Sequence, residues 1–244
     1  MGTLALDIET ASPNEEPPED SNETRYFEWV AMSVGYRDDT GVESDVLFRQ
    51  GDWDHEYTAE LLDQFVEWCE GREIDRTLTY NGDAFDLKHL RNWATELEDA
   101  GVRRNAYDDL RASVPMHIDL APAATEKYPE EATGYGVVPL WKACELESID
   151  DDMVFYRDYD FPSGIDWGID RDFVQGKHVG QVLGERFVEG QSNPKLGKTR
   201  THQELQKLLY DYASSDVDVL FGLYDALGGA QLEEDYHHPF EKEV

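Results

Sequence analysis

Cysteine is nearly absent from this chain. Cys69 and Cys144 are the only two in 244 residues, too few for a disulfide framework, and both are expected to be plain core thiols. Basic residues are also scarce, with 21 Lys and Arg against 54 Asp and Glu and a formal net charge of −33. In dilute buffer such a surface repels itself and any polyanion. No run of 18 apolar residues occurs, and no basic segment followed by an apolar stretch opens the chain. A soluble, cytoplasmic protein without a membrane partner is therefore expected.

Hydrophobic residues nevertheless make up 40% and aromatics 12% of the chain, more apolar material than a disordered polyacid carries. The acid must coat a folded surface. Arg outnumbers Lys 13 to 8, and an acid excess of this size is what a protein from a halophile carries. At about 1 M salt the Debye length falls to roughly 3 Å and self-repulsion is largely screened. The alternative is an acidic protein of ordinary cytoplasm that binds basic partners. The length suits one core, and residues 1–244 are expected to form a single domain, with a possible insertion at about 147–203.

Thr3 to Glu9 alternates apolar and acidic residues and predicts a strand, followed by a Pro- and acid-rich loop from Ser12 to about Asn22. Trp29 to Tyr36 and Val42 to Phe48, separated by a turn signal at Asp38 to Gly41, predict two more strands in an antiparallel meander. Leu61, Leu62, Phe65, Val66 and Cys69 recur at helical spacing, with Gly71 placed to end the helix. Arg76 to Tyr80 is strand-like. After Asn81-Gly82-Asp83, Leu87, Leu90, Ala94 and Leu97 trace a helix whose first turn holds Asp86. Glu147 to Gln203 shows the least regular pattern. Thr201 to Glu204 has capping-box spacing and predicts the start of a long helix through about Leu227, closed by Gly228-Gly229.

Asp7 and Glu9 stand two residues apart in the first strand, so both leave one face while Leu4, Leu6 and Ile8 leave the other. Paired like charges are unfavourable unless protons or a hard cation neutralise them. An acidic chain also produces such pairs cheaply, as Asp54-His55-Glu56 shows. In the last helix Tyr212 and Asp216 are four apart, in line with the apolar stripe of Leu205, Leu208, Leu209, Val219 and Leu223. An inward-facing carboxylate needs a partner, which a metal supplies. A Tyr and Asp hydrogen-bonded at the core edge is the alternative. Tyr156 and Asp160 repeat the spacing, but Pro162 argues against a helix there.

Together, Asp7-Ile8-Glu9-Thr10, Tyr80-Asn81-Gly82-Asp83-Ala84-Phe85-Asp86 and Tyr212-Ala213-Ser214-Ser215-Asp216 resemble the motifs of the four-carboxylate 3′–5′ exonucleases that carry a tyrosine in the third motif. The likeness is closest to the exonuclease domain of family B DNA polymerases. His117-Ile118-Asp119-Leu120 resembles a strand that follows the second motif in such domains. The resemblance implies an α/β, ribonuclease H-like fold, with a mixed central β-sheet flanked by α-helices. It also implies two ions of Mg²⁺ or Mn²⁺, bridged by Asp7, with Glu9 and Asp216 completing one shell and Asp86 holding the second ion. Tyr212 would orient water, since a phenol of ordinary pKa near 10 is a poor base at neutral pH. Asn81 is a candidate contact to the strand, or a self-satisfied turn residue.

The implied activity is 3′–5′ exonucleolytic hydrolysis of nucleic acid, with single-stranded DNA bearing a free 3′ end as substrate. Replication or repair proteins are possible partners. An exoribonuclease, or a non-catalytic nucleic-acid-binding or replication-associated module, are the alternatives. Ser192 to Thr199 falls one glycine short of a phosphate-binding loop and has no strand before it, which argues against nucleotide triphosphate hydrolysis. Lys195, Lys198 and Arg200 form an acid-free island that is a candidate phosphate-backbone contact, with a flexible surface loop as the alternative. His237-His238 could bind a metal in isolation, or form a solvated tail. Asp150-Asp151-Asp152 is most simply an acidic surface turn.

Overall fold

The N-terminal alternation becomes an inner strand of the sheet. A computed structural model describes residues 2–18, 21–134, 136–163, 167–169, 171–238 and 240. β1 (Gly2–Ala11) pairs antiparallel with β2 (Glu28–Asp38), which pairs antiparallel with β3 (Gly41–Phe48), forming the expected meander. On the other side of β1 lie β4 (Ile74–Thr79), parallel to it, and β5 (His117–Asp119), parallel to β4. A short β6 (His237–His238) closes the edge antiparallel to β5, so the backbone of the His-His pair belongs to the sheet rather than to a free tail. The order is β3-β2-β1-β4-β5-β6, a mixed sheet.

The helices follow the apolar stripes. They are α1 (His55–Cys69), α2 (Asp86–Asp99), α3 (Ala106–Ser113), α4 (Leu120–Lys127), α5 (Leu140–Glu147), α6 (Gly176–His178), α7 (Gly184–Ser192), α8 (Arg200–Leu227) and α9 (Leu232–Asp235). Leu4, Leu6 and Ile8 leave one face of β1 and pack with Leu61 and Phe65 of α1 and Leu90 and Trp93 of α2. Ala5 leaves the other face and packs with Val217, Leu220 and Phe221 of α8. Both faces of β1 are thus covered, as a strand feeding parallel pairing requires. Cys69 and Cys144 are free and buried, and burial pushes both thiols up to about 12. Among the described residues no helix is long and apolar enough to cross a membrane.

Two local expectations need correction. The long helix begins one residue before Thr201, and its cap is Thr199, whose hydroxyl accepts from the His202 N–H at 3.3 Å. Thr201 lies inside the first turn, and Glu204 instead accepts from the backbone N–H of Asp160 at 3.1 Å. The helix stops at Gly228, whose φ of +144° is open to glycine. The second correction concerns 147–203, whose second half is largely helical, apart from the turn at 193–199. From Gly176 to Ser192 the chain is helical throughout, with a π-helical stretch at Val179–Leu183. Val179, Leu183, Phe187 and Val188 are buried against Ala11, Val30 and the N-terminal half of α8. A Cβ at Gly184 would stand 3.0–3.1 Å from Val179 O, Val30 and Ala11. The glycine that looks like a loop signal is therefore a packing residue.

Candidate metal centre

β1 outruns its parallel neighbour. The β1–β4 register ends at Ala5 opposite Leu78, so Asp7 and Glu9 lie beyond the last paired residue, on the face that Ala5 presents to α8. α2 starts in the space past the end of β4. Its first residue, Asp86, accepts the Ile8 N–H at 3.1 Å and so caps the part of β1 that β4 no longer covers. A carboxylate in the first turn of a helix is also favoured by the partial positive charge of the helix N-terminus.

From the facing side α8 delivers Asp216. Carboxylate oxygens of Asp7, Glu9 and Asp216 all lie within 4.8 Å of one another. Tyr212, one turn earlier, lines the same cleft of about 280 Å³, together with Asp86, Tyr80, Asn81, Phe85 and Gly176. Glu9 and Asp86 are buried, and Asp7 and Asp216 are partly buried. Burial is the main reason that Asp7 is held well above the ordinary carboxylate range, followed by the charges of Asp86, Asp216 and Glu9. Glu9 is raised by burial, then by Asp216 and Asp86. Asp86 is pushed to about 7 by burial, in spite of the Ile8 N–H, and Asp216 to about 7 by burial, then by Asp151 and Asp86. Among the described residues no Lys, Arg or His ion-pairs with any of the four. Asp7, Glu9 and Asp216, with Asp86 in the same cleft, form a group that could hold a hard divalent cation. The Tyr212 hydroxyl is raised well above 10 by burial and the neighbouring acids, so it stays protonated and can donate.

One organising residue was not recognised as such in the sequence. Asp119 ends β5 and accepts from three backbone N–H groups: Asn81 at 2.7 Å, Ala121 at 3.0 Å and Asp83 at 3.2 Å. It thereby caps α4 and clamps the 81–83 turn that leads into Asp86. Its signal was an Asp at a strand-to-helix junction, a common capping position. Next to it, Thr79 Oγ1 meets His117 Nε2 at 2.7 Å, and Asp83 lies 3.4 Å from His117 Nδ1. Asn81 takes φ +63°, so its turn role is real, and it also lines the cleft. Asp151, read as part of a surface turn, instead lines the groove beside Asp216 and helps to raise it.

The basic island lies elsewhere. Arg200 opens α8, about 24 Å from Asp216 along an axis that rises about 1.5 Å per residue, and it ion-pairs with Asp160. Lys195 and Lys198 occupy the turn between α7 and α8, so this group does not join the carboxylates. The segment from Ser192 follows a helix rather than a strand, which agrees with the rejection of a phosphate-binding loop. Asp54 precedes α1 and His55 and Glu56 open it. Tyr156 sits in a short 3₁₀ turn with its hydroxyl 3.0 Å from His178 Nδ1, apart from any regular α-helix.

With this geometry in view, comparison with known proteins gives a likeness in structure but none in sequence. No protein-family profile matches the chain, and no curated protein matches it in sequence. Among solved structures it is similar to the family B DNA polymerase of the hyperthermophilic archaeon Pyrobaculum calidifontis, at 17% identity and a TM-score of 0.51. The fold is α/β and ribonuclease H-like. The match covers 96% of this chain but only 26% of the polymerase, so the chain spans about a quarter of that protein's length. At this identity the likeness establishes architecture, and the chemistry must be argued from the side chains.

Proposed function

We propose that this protein is a metal-dependent 3′–5′ exonuclease that hydrolyses the ends of single-stranded nucleic acid, DNA in the first place. The observation that carries this reading is the trio Asp7, Glu9 and Asp216, within 4.8 Å and without a cationic partner among the described residues, beside Asp86 and Tyr212. A binding module has no use for uncompensated carboxylates at this density, which cost folding free energy. Asp7, Glu9 and Asp216 would hold one ion, and Asp7 with Asp86 a second. Mg²⁺ and Mn²⁺ suit an all-oxygen donor set. When bound, such ions supply a water of lowered pKa and a counter-charge for the leaving oxygen.

The protein's own share of the work is positional. Asp86 is fixed by the Ile8 N–H, and the 81–83 turn by Asp119, so the acids are held before substrate arrives. The Tyr212 hydroxyl stays protonated at neutral pH and so donates a hydrogen bond to orient the attacking water, leaving the role of base to the carboxylate side. DNA takes precedence because the similar solved structure is a DNA polymerase. The test uses 5′-labelled and 3′-labelled single-stranded DNA and RNA with Mg²⁺ or Mn²⁺ at high salt. Stepwise shortening from the 3′ end, abolished by EDTA, is expected. Cleavage of circular single strands, or cleavage that survives EDTA, would refute it. Faster loss of RNA would make the substrate RNA.

A further inference from the structure

Residues 154–156 and 172–174 pair with each other as a short antiparallel stem. The Val174 N–H donates to Val154 O at 2.8 Å and the Tyr156 N–H to Asp172 O at 3.1 Å, with Phe155 bridged to Phe173. Val154, Phe173 and Val174 of this stem line the groove that also holds Asp7, Tyr212 and Asp216. Tyr156 and Asp172 instead line a separate pocket of about 370 Å³, to which none of the four carboxylates contributes. Among the described residues, all of its lining comes from the stem and the loop that it closes, between 156 and 172.

The charge of this pocket runs against that of the chain. Arg157 and Arg171 stand there against the single Asp172, whereas the whole sequence carries 21 Lys and Arg against 54 Asp and Glu. Other arginines are committed to the fold, as Arg76 is to Glu233 and Arg103 to Asp63. Among the described residues Arg171 has no ion pair, and Arg157 meets only its neighbour Asp158, at 3.9 Å. Two uncommitted guanidiniums are thus available to an anion, and their planar forks match phosphate oxygens. The rest of the lining is aromatic. Phe161 and Trp167 meet edge to face, with ring centroids 4.8 Å apart and planes at 79°, and both line the pocket. Such a corner offers a face on which a planar heterocycle stacks. The volume lies near the lower end of the range for small-molecule sites, roughly 300–1,000 Å³, which suits one nucleotide and excludes a run of strand.

We propose that this pocket is a second, metal-independent ligand site that takes a nucleoside monophosphate, its base against Trp167 and Phe161 and its phosphate on Arg157 and Arg171. The same chemistry is offered by a free nucleotide and by the 5′-phosphorylated end of a strand. The site goes beyond the exonuclease reading and does not rest on it, because neither the carboxylates nor a metal takes part. A ligand held there is nevertheless close in the chain to the reactive groove. Tyr156 is two residues from Val154, and Asp172 is next to Phe173, so the stem carries the pocket on one set of residues and the groove wall on the other.

The test titrates the whole protein, in EDTA, with deoxyadenosine 5′-monophosphate, deoxyadenosine and inorganic phosphate, and follows the heat of binding. The wild type should bind one equivalent of the monophosphate, and the nucleoside and the phosphate alone each about 10-fold or more weakly. Trp167→Ala should weaken the monophosphate about 5- to 100-fold, with most of the loss restored in Trp167→Phe. Arg171→Gln should cost about 10- to 100-fold. Arg171 is exposed, so this variant should keep the wild-type melting temperature and remains informative if Trp167→Ala fails to fold. Asp216→Asn should bind as the wild type does. Dependence on Asp216 in place of Trp167 and Arg171 would put the nucleotide in the carboxylate cleft and overturn the site, as would no binding, or equal binding of deoxyadenosine. Two single strands, with and without a 5′-phosphate, separate the sources. Tighter Arg171-dependent binding of the phosphorylated strand than of the monophosphate assigns a strand end, and the reverse order assigns the free nucleotide. Without metal no strand is cut, so the outcome is independent of whether the carboxylates form an exonuclease.

Discussion

Removing one charge from the metal-free centre should stabilise the protein. Asp216 is raised from 3.8 to about 7 in the folded chain. Between these values the native state binds a proton that the unfolded state has released, so stability falls as pH rises, and above pH 7 the whole penalty remains. At 1.36 kcal/mol per pH unit the penalty is about 4 kcal/mol. Burial is its main cause, and the charges of Asp151 and Asp86 add to it. Asp216→Asn deletes this term and leaves an amide that must find partners, at a cost of about 1–2 kcal/mol. The net gain at pH 8 is about 2–3 kcal/mol, or roughly 5–10 °C in Tm for a chain of this size. At pH 4 most of the gain disappears, because the native carboxyl is then protonated. Thermal melts in EDTA and about 2 M KCl, where surface charge is screened, measure the difference. Added Mn²⁺ should shrink or cancel the difference, since at about 100 times Kd it contributes about 2.7 kcal/mol to the wild type and less to a variant missing a ligand. A variant no more stable than wild type at pH 8 in EDTA, or a gain that does not depend on pH, would refute this account of the centre.

Three other perturbations separate the roles assigned above. Tyr212→Phe keeps the ring and removes the hydroxyl, so metal titration should be unchanged while kcat falls about 10- to 100-fold; Asp216→Ala should lose both. Asp119→Ala strips three backbone N–H groups of their acceptor, and chemical denaturation should show a loss of about 2–4 kcal/mol together with a lower kcat, whereas an unaltered kcat would deny the turn its positioning role. Activity and folded fraction should both survive, or rise, as salt is taken from 0.1 M to about 2 M, and a steep loss over that range would remove the high-salt reading of the surface.

Much of the centre was legible because it depends on short-range geometry. Strand alternation alone puts Asp7 and Glu9 on one face of β1, helical spacing alone puts Tyr212 and Asp216 on one face of α8, and Asp86 was recognisable in the first turn of α2. The meander was legible for the same reason, since a turn signal between two alternating runs leaves few other pairings. Which elements meet is a different matter. Only the assembled sheet shows β1 outrunning β4, so that Asp86 can cap Ile8, and only the packing of α8 across that end brings Asp216 to Asp7 and Glu9. Asp119 and Asp151 act on residues dozens of positions away, and nothing near them in the chain records that. Residues 176–192 showed no regular pattern because their glycines are explained by neighbours from β1, β2 and α8 that local spacing cannot supply. Lys195, Lys198 and Arg200 stood out by composition, yet the length of α8 sets them far from the acids. The sequence by itself determined which faces carry the carboxylates and Tyr212, because backbone periodicity is local. The tertiary structure decided which of those faces share one cleft, because that depends on strand register and helix packing across the whole chain.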